Sequence, residues 1–214
     1  MAKSVSQRVH DAFAGDSIAD LKGYEDKVLA SWKDVSSSLS RSVVLILTVI
    51  VIFELLAYQN SSRVFTIGSI SFADTSTVQM FLPTIVAYSI YDGCRLTLRW
   101  MDLQAAYIVI AEKCLPTISD NDIDLLIAPT LPTFWAVGKR LSVQNCDRGE
   151  KFALLVNMSL ASMSVIILPV GFEVQAYYHL FAKFGGSDVL LWANAGTTSV
   201  FLLSAVTYMV LRGD

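Results

Sequence analysis

The side chain with the most chemistry to offer is an acid in the middle of a greasy stretch. Glu54 is the one ionisable residue in 42–58. An ionised group inside a bilayer costs about 2.5–3.5 kcal/mol or more, so such a residue reaches for the headgroups, serves an ion path, or pairs with a neighbouring helix. Glu54 lies four residues before Tyr58, within reach of all three. Weaker polar groups accompany it. Asn194, Thr197 or Thr198, Ser204 and Thr207 or Tyr208 fall roughly along one face of an apolar run, and Asn157, Ser159, Ser162 and Ser164 punctuate another. In lipid, small and hydroxyl residues pack helices together or line a weakly polar pore. So few polar groups would need several subunits to enclose water.

A second cluster holds charge at the end of an apolar run: Asp92, Arg95, Arg99 and Asp102. Tyr91-Asp92-Gly93-Cys94-Arg95 resembles the start of the aspartate-rich signature of CDP-alcohol phosphotransferases. That signature continues with a glycine and two further aspartates that hold metal ions. Here Leu96 to Asp102 does not complete it, and Asp92 is read instead as an ion-pair partner of Arg95 or Arg99. Other enzyme signals are missing. The two histidines, His10 and His179, are far apart in the chain, and no zinc, phosphate-loop, nucleotide or serine-hydrolase motif is present. Cys94, Cys114 and Cys146 lack the spacing of a disulfide framework or a metal site. No metal, cofactor or catalytic residue is expected. A net charge of −3 leaves no footprint for nucleic acid.

The elements that carry these residues are set by hydropathy. Apolar residues make up 54% of the chain and charged residues 16%, below the quarter usual for soluble domains. The apolar residues gather near 42–58, 75–95, 152–172 and 188–211, and about 20 of them suffice to cross roughly 30 Å of hydrocarbon. Fourteen of the sixteen Lys and Arg residues precede the first run, lie between the second and third, or follow the last. The positive-inside rule therefore puts both termini and the central loop in the cytoplasm.

Before the first span, Ile18, Leu21, Val28, Trp32, Val35 and Leu39 repeat as an amphipathic stripe interrupted by Glu25. It suits the membrane surface, a subunit seam or the chain's own cytoplasmic part. Alternation on either side of Gly68-Ser69 suggests a small β-hairpin or a tight turn. Pro83 predicts a kink in the second span, whose helix runs on past Gly93 until Pro116. Pro169 predicts a bend at the end of the third. Tyr177, Tyr178, His179 and Phe181 then suit the outer headgroup layer, Gly185-Gly186 turns the chain, and Ser187 or Asp188 caps the fourth span.

The sequence thus predicts an all-α integral membrane protein with four transmembrane helices in two hairpins. Its expected parts are a cytoplasmic amphipathic helical region at 1–40, a first hairpin at 41–98, a small cytoplasmic helical layer at 99–150 and a second hairpin at 151–214. The function expected is a homo-oligomeric channel or pore in the plasma (inner) membrane, gated or assembled by its cytoplasmic layer and not an enzyme. A scaffold that binds a partner protein through its cytoplasmic face comes second, and a lipid-modifying enzyme third.

Overall fold

The computed structural model describes residues 18–58, 65–67, 70–72, 75–114 and 167–212, with Gln7, Asp11 and Val156 besides. These form four helices and one small hairpin: α1 (Ile18–Tyr58), β1 (Phe65–Ile67), β2 (Ile70–Phe72), α2 (Thr75–Cys114), α3 (Leu168–Phe184) and α4 (Val189–Arg212). The hairpin is antiparallel, with Phe65 opposite Phe72 and Ile67 opposite Ile70. The strands thus pair on either side of the Gly68-Ser69 step at which the alternation breaks.

The chain divides into two compact units, one from Met1–Ser40 and Leu96–Pro132, the other from Arg41–Arg95 and Thr133–Asp214. Both long helices contribute to each. α1 has 41 residues, about 60 Å of helix at 1.5 Å per residue. The amphipathic stripe and the first apolar run thus lie on one continuous helix. No Pro or Gly interrupts α1 between Gly23 and Tyr58, so nothing breaks the hydrogen-bond ladder where the character of the residues changes. Similarly α2 runs unbroken to Cys114 and contains Pro83.

The first unit is held by an aromatic centre. Leu21, Val28, Trp32, Val35 and Leu39 are all buried, so the stripe at heptad spacing is a core face. Val28, Trp32, Val35 and Leu39 pack on Trp100, Ala106, Tyr107, Ile110 and Ala111 of α2. The Trp32 ring centroid lies 5.5 Å from those of both Trp100 and Tyr107. Trp100 Nε1 donates to Ser36 Oγ at 3.0 Å. Of the three sites open to the stripe, it takes the chain's own helix.

The second unit draws on all four helices. Ile46, Val49, Phe53 and Leu56 of α1 meet Met80, Leu82 and Val86 of α2, Phe172, Ala176 and Leu180 of α3, and Leu191 of α4. Phe53 sits edge-on to Phe172 at 5.1 Å. Between α3 and α4, Gly185 takes φ +78°, a left-handed conformation that glycine adopts at low cost. Asp188 Oδ1 then accepts from the backbone N–H groups of Leu190 and Leu191 and caps α4.

Two helices are long and apolar enough to cross a membrane, Leu21–Ala57 and Val189–Leu211, whose most apolar 18-residue windows have mean hydropathies of 2.3 and 1.6. Only 28% and 22% of their apolar windows are buried. Val44, Leu47, Val51 and Leu55 on α1 are exposed, as are Val189, Trp192, Val200, Leu203, Val206 and Leu211 on α4. Most of the third apolar run, 152–166, lies outside the described residues.

Candidate functional site

In the second unit several polar side chains turn inward. Leu191, Asn194, Thr198 and Ala205 are the buried positions of α4, spaced three, four and seven residues apart, so they form one narrow face. Thr84 of α2 reaches that face. Its hydroxyl donates to Asn194 Oδ1 at 3.4 Å and lies 3.2 Å from Thr198 Oγ1. Tyr177 of α3 brings its phenolic oxygen to 2.7 Å from the same Thr198 oxygen. A hydroxyl has one proton to give. With the Thr84 proton spent on Asn194, Thr198 donates to Thr84 and Tyr177 donates to Thr198. Three helices are thereby joined by one directed chain of hydrogen bonds.

Orphan polar atoms flank this chain. Asn194 Nδ2 is buried without a partner, and so is Gln79 Nε2. Gln79 Oε1 accepts from Lys183 Nζ at 2.9 Å. One helical turn from Tyr177, Glu173 is 4% exposed, and neither of its carboxylate oxygens has a hydrogen-bond partner. An unpaired buried carboxylate is among the most costly groups a protein holds.

Outward-facing hydroxyls behave differently. Thr48 donates to Val44 O at 2.8 Å, Thr197 to Ala193 O at 2.9 Å and Ser199 to Ala195 O at 2.8 Å. Each spends its proton on its own helix, which satisfies it in surroundings that offer no partner. Of the two alternatives on α4, Thr198 shares the face of Asn194 and Thr197 does not. The 100° step between successive residues separates neighbours that sequence spacing lumps together.

The remaining candidates sit apart from the seam. Glu54 is half-buried and accepts from Gln175 Nε2 at 3.3 Å, on a side of the unit where Gln175 is exposed. Ser204 lines an open groove with Tyr91, Leu203, Thr207 and Tyr208. Asp92 pairs with Arg95 at 2.7 Å, one turn on. Arg99 is exposed and Asp102 half-buried, both belonging to the other unit, so the four charges do not form one cluster within a unit. Asn157 lies outside the described residues. Among those residues no group of three or more His, Cys, Asp or Glu could hold a metal ion.

Reading residues alone missed Glu173, Tyr177, Thr84, Gln79 and Lys183. Glu173 and Tyr177 belong to α3, and the backbone is already helical at Ile167, two residues before Pro169. One signal was available: Phe172, Ala176 and Leu180 recur every four residues through the supposed boundary, with Glu173 and Tyr177 on the adjoining ridge.

No family of proteins, curated protein or solved structure matches this chain.

Proposed function

We propose that this is a four-span integral membrane protein that passes a small ion, with its first unit and both termini in the cytoplasm. The observation that carries this reading is the exposed apolar surface of the second unit. Val44, Leu47, Val51 and Leu55 of α1 and Val200, Leu203 and Val206 of α4 face outward, while Thr84, Tyr177, Asn194 and Thr198 meet one another inside. A soluble helical core buries its apolar residues and exposes its polar ones. A bilayer reverses the requirement for the exterior, since lipid offers no hydrogen bonds. The basic residues supply the orientation, and the plasma (inner) membrane is the membrane proposed. α2 and α3 supply the second and third crossings in this reading.

The pore expected between subunits is replaced here by a polar seam within one chain, because Asn194 and Thr198 find their partners in the same chain. Self-association remains part of the proposal at the side bearing Glu54 and Gln175. A polar pair half-exposed on an apolar surface is covered at lower cost by a second copy than by lipid. The scaffold alternative loses its best surface, since Val28, Trp32, Val35 and Leu39 are spent on α2.

The test is flux. Purified full-length protein in liposomes should raise proton or monovalent-cation permeability above that of protein-free liposomes, read by a pH-sensitive or potential-sensitive dye. Permeability equal to that of empty liposomes would sink the ion-passing role and favour partner binding.

A further inference from the structure

We propose that Glu173 is a proton-binding site reached from the outer end of the helices through the polar seam, an inference that rests on the ion-passing role above. The seam has three levels. Outermost, Lys183 donates to Gln79, whose own Nε2 is left over although Gln79 is 1% exposed. At the next level, Tyr177, Thr198, Thr84 and Asn194 form the directed chain, and Asn194 Nδ2 is left over. Innermost is Glu173, with both oxygens left over.

Measured back from Phe184 along α3, Lys183, Tyr177 and Glu173 lie at about 2, 10 and 16 Å, taking 1.5 Å per residue. Half of a hydrocarbon layer is about 15 Å, so Glu173 falls near the midplane. Orphan donors at two levels and orphan acceptors at the third are what bridging water satisfies in a protein interior. Hydroxyls, amides and water so arranged exchange protons from one level to the next.

The chemistry selects the occupant. A carboxylate at the inner end repels anions. A hard metal cation takes six or more oxygen ligands, several of them commonly carboxylates, whereas Glu173 stands as a lone acid. A proton needs a single oxygen, which a lone acid supplies. The carboxylate takes up one proton to become a neutral acid, which removes the buried charge, and release of the proton reverses the step. Nothing is oxidised or reduced and no other group leaves.

The other titratable groups of these helices are engaged elsewhere. Glu54 faces Gln175 from α1, and Asp92 is held by Arg95 on α2. His179 stands at the edge of the Phe53 ring, and Tyr88 and Tyr91 of α2 lie against Phe201 of α4. Cys94 is half-buried on α2. Tyr177 stands one helical turn from Glu173 on α3 and gives its hydroxyl to Thr198.

Two measurements test the proposal separately from the role beneath it. In the first, full-length protein in phosphatidylcholine nanodiscs is treated with dicyclohexylcarbodiimide, which modifies protonated carboxyls in apolar surroundings, and peptides are read by mass spectrometry. Glu173 is expected to carry the adduct, with labelling falling about tenfold per pH unit once the acid ionises. Labelling that is absent from Glu173, or that ignores pH, would overturn the site.

In the second, proteoliposomes holding the pH dye pyranine receive an external acid pulse. Glu173→Gln is expected to lower proton uptake at least about tenfold, and Thr84→Val to lower it less, by breaking the chain above Glu173. Uptake that persists in a folded Glu173→Gln variant would overturn the site and leave ion passage standing. The expected labelling with no uptake by the unaltered protein would do the reverse. Sodium-dependent flux without acidification would overturn the proton as occupant.

Discussion

Two tryptophans in the first unit are buried alike but satisfied differently, and that difference sets a measurable order of stability. Trp100 is 5% exposed and its Nε1 donates to Ser36 Oγ at 3.0 Å. Trp32 is 2% exposed and its Nε1 has no acceptor. Replacing either by Phe deletes the same atoms from sites of nearly equal burial, so the transfer and cavity costs largely cancel in the comparison. What remains is the N–H. Trp100→Phe gives up a hydrogen bond with a net worth of about 0.5–1.5 kcal/mol. Trp32→Phe removes an unpaired buried donor whose presence costs about 1–3 kcal/mol. Trp32→Phe should therefore be the milder change by about 1.5–4.5 kcal/mol, more than a tenfold difference in the unfolding constant. The assay is urea unfolding of each full-length variant in the same detergent, followed by pulse proteolysis and checked for equal slopes. Equal losses, or a larger loss for Trp32→Phe, would refute the assignment of an orphan donor to Trp32.

Three further outcomes follow from the same geometry. A double-mutant cycle of Tyr177→Phe with Thr198→Val should return a coupling of about 0.6 kcal/mol and at most about 1.7, the range for hydrogen bonds between membrane helices, read from thermal or denaturant unfolding. A coupling of zero would mean the 2.7 Å contact contributes nothing to stability. Gly23→Ala should stabilise the protein by about 0.5–1 kcal/mol, because the added Cβ meets nothing within 4 Å and Ala is the better helix former. Burial chiefly, and then the Glu25 charge, hold the Cys114 thiol above its usual range, with Lys22 opposing. Its thiolate fraction is therefore depressed near neutral pH, and maleimide labelling should speed up as pH rises. Glu25→Gln should bring that rise to lower pH and Lys22→Gln should delay it.

Much of the architecture follows from local pattern. Val28, Trp32, Val35 and Leu39 recur at heptad spacing and became a core face, since helical periodicity alone decides which side chains share a side. The Gly185-Gly186 turn and the Asp188 cap were readable for the same reason, being properties of a few adjacent residues. The bend expected at Pro169 falls next to Ile167, where the backbone is already helical, and the four-residue rhythm of Phe172, Ala176 and Leu180 continues past it.

Which polar residues matter was a different kind of question. Glu54 stood out along the chain as an acid among apolar residues, yet it lies half-buried beside Gln175. Glu173 drew no notice and is the buried acid without a partner. Thr197 and Thr198 are adjacent and chemically identical, and one serves its own backbone while the other joins three helices.

Hydropathy and periodicity thus dictated the apolar helices and their buried stripes, because those depend on neighbours in the chain. The meeting of Thr84, Tyr177, Asn194 and Thr198, with Glu173 one turn from Tyr177, was decided in tertiary structure. Thr84 and Asn194 are 110 residues apart in the chain, and Thr84 and Thr198 are 114 apart. Hydrogen bonds of that range depend on how helices pack and rotate against one another, which no local pattern encodes.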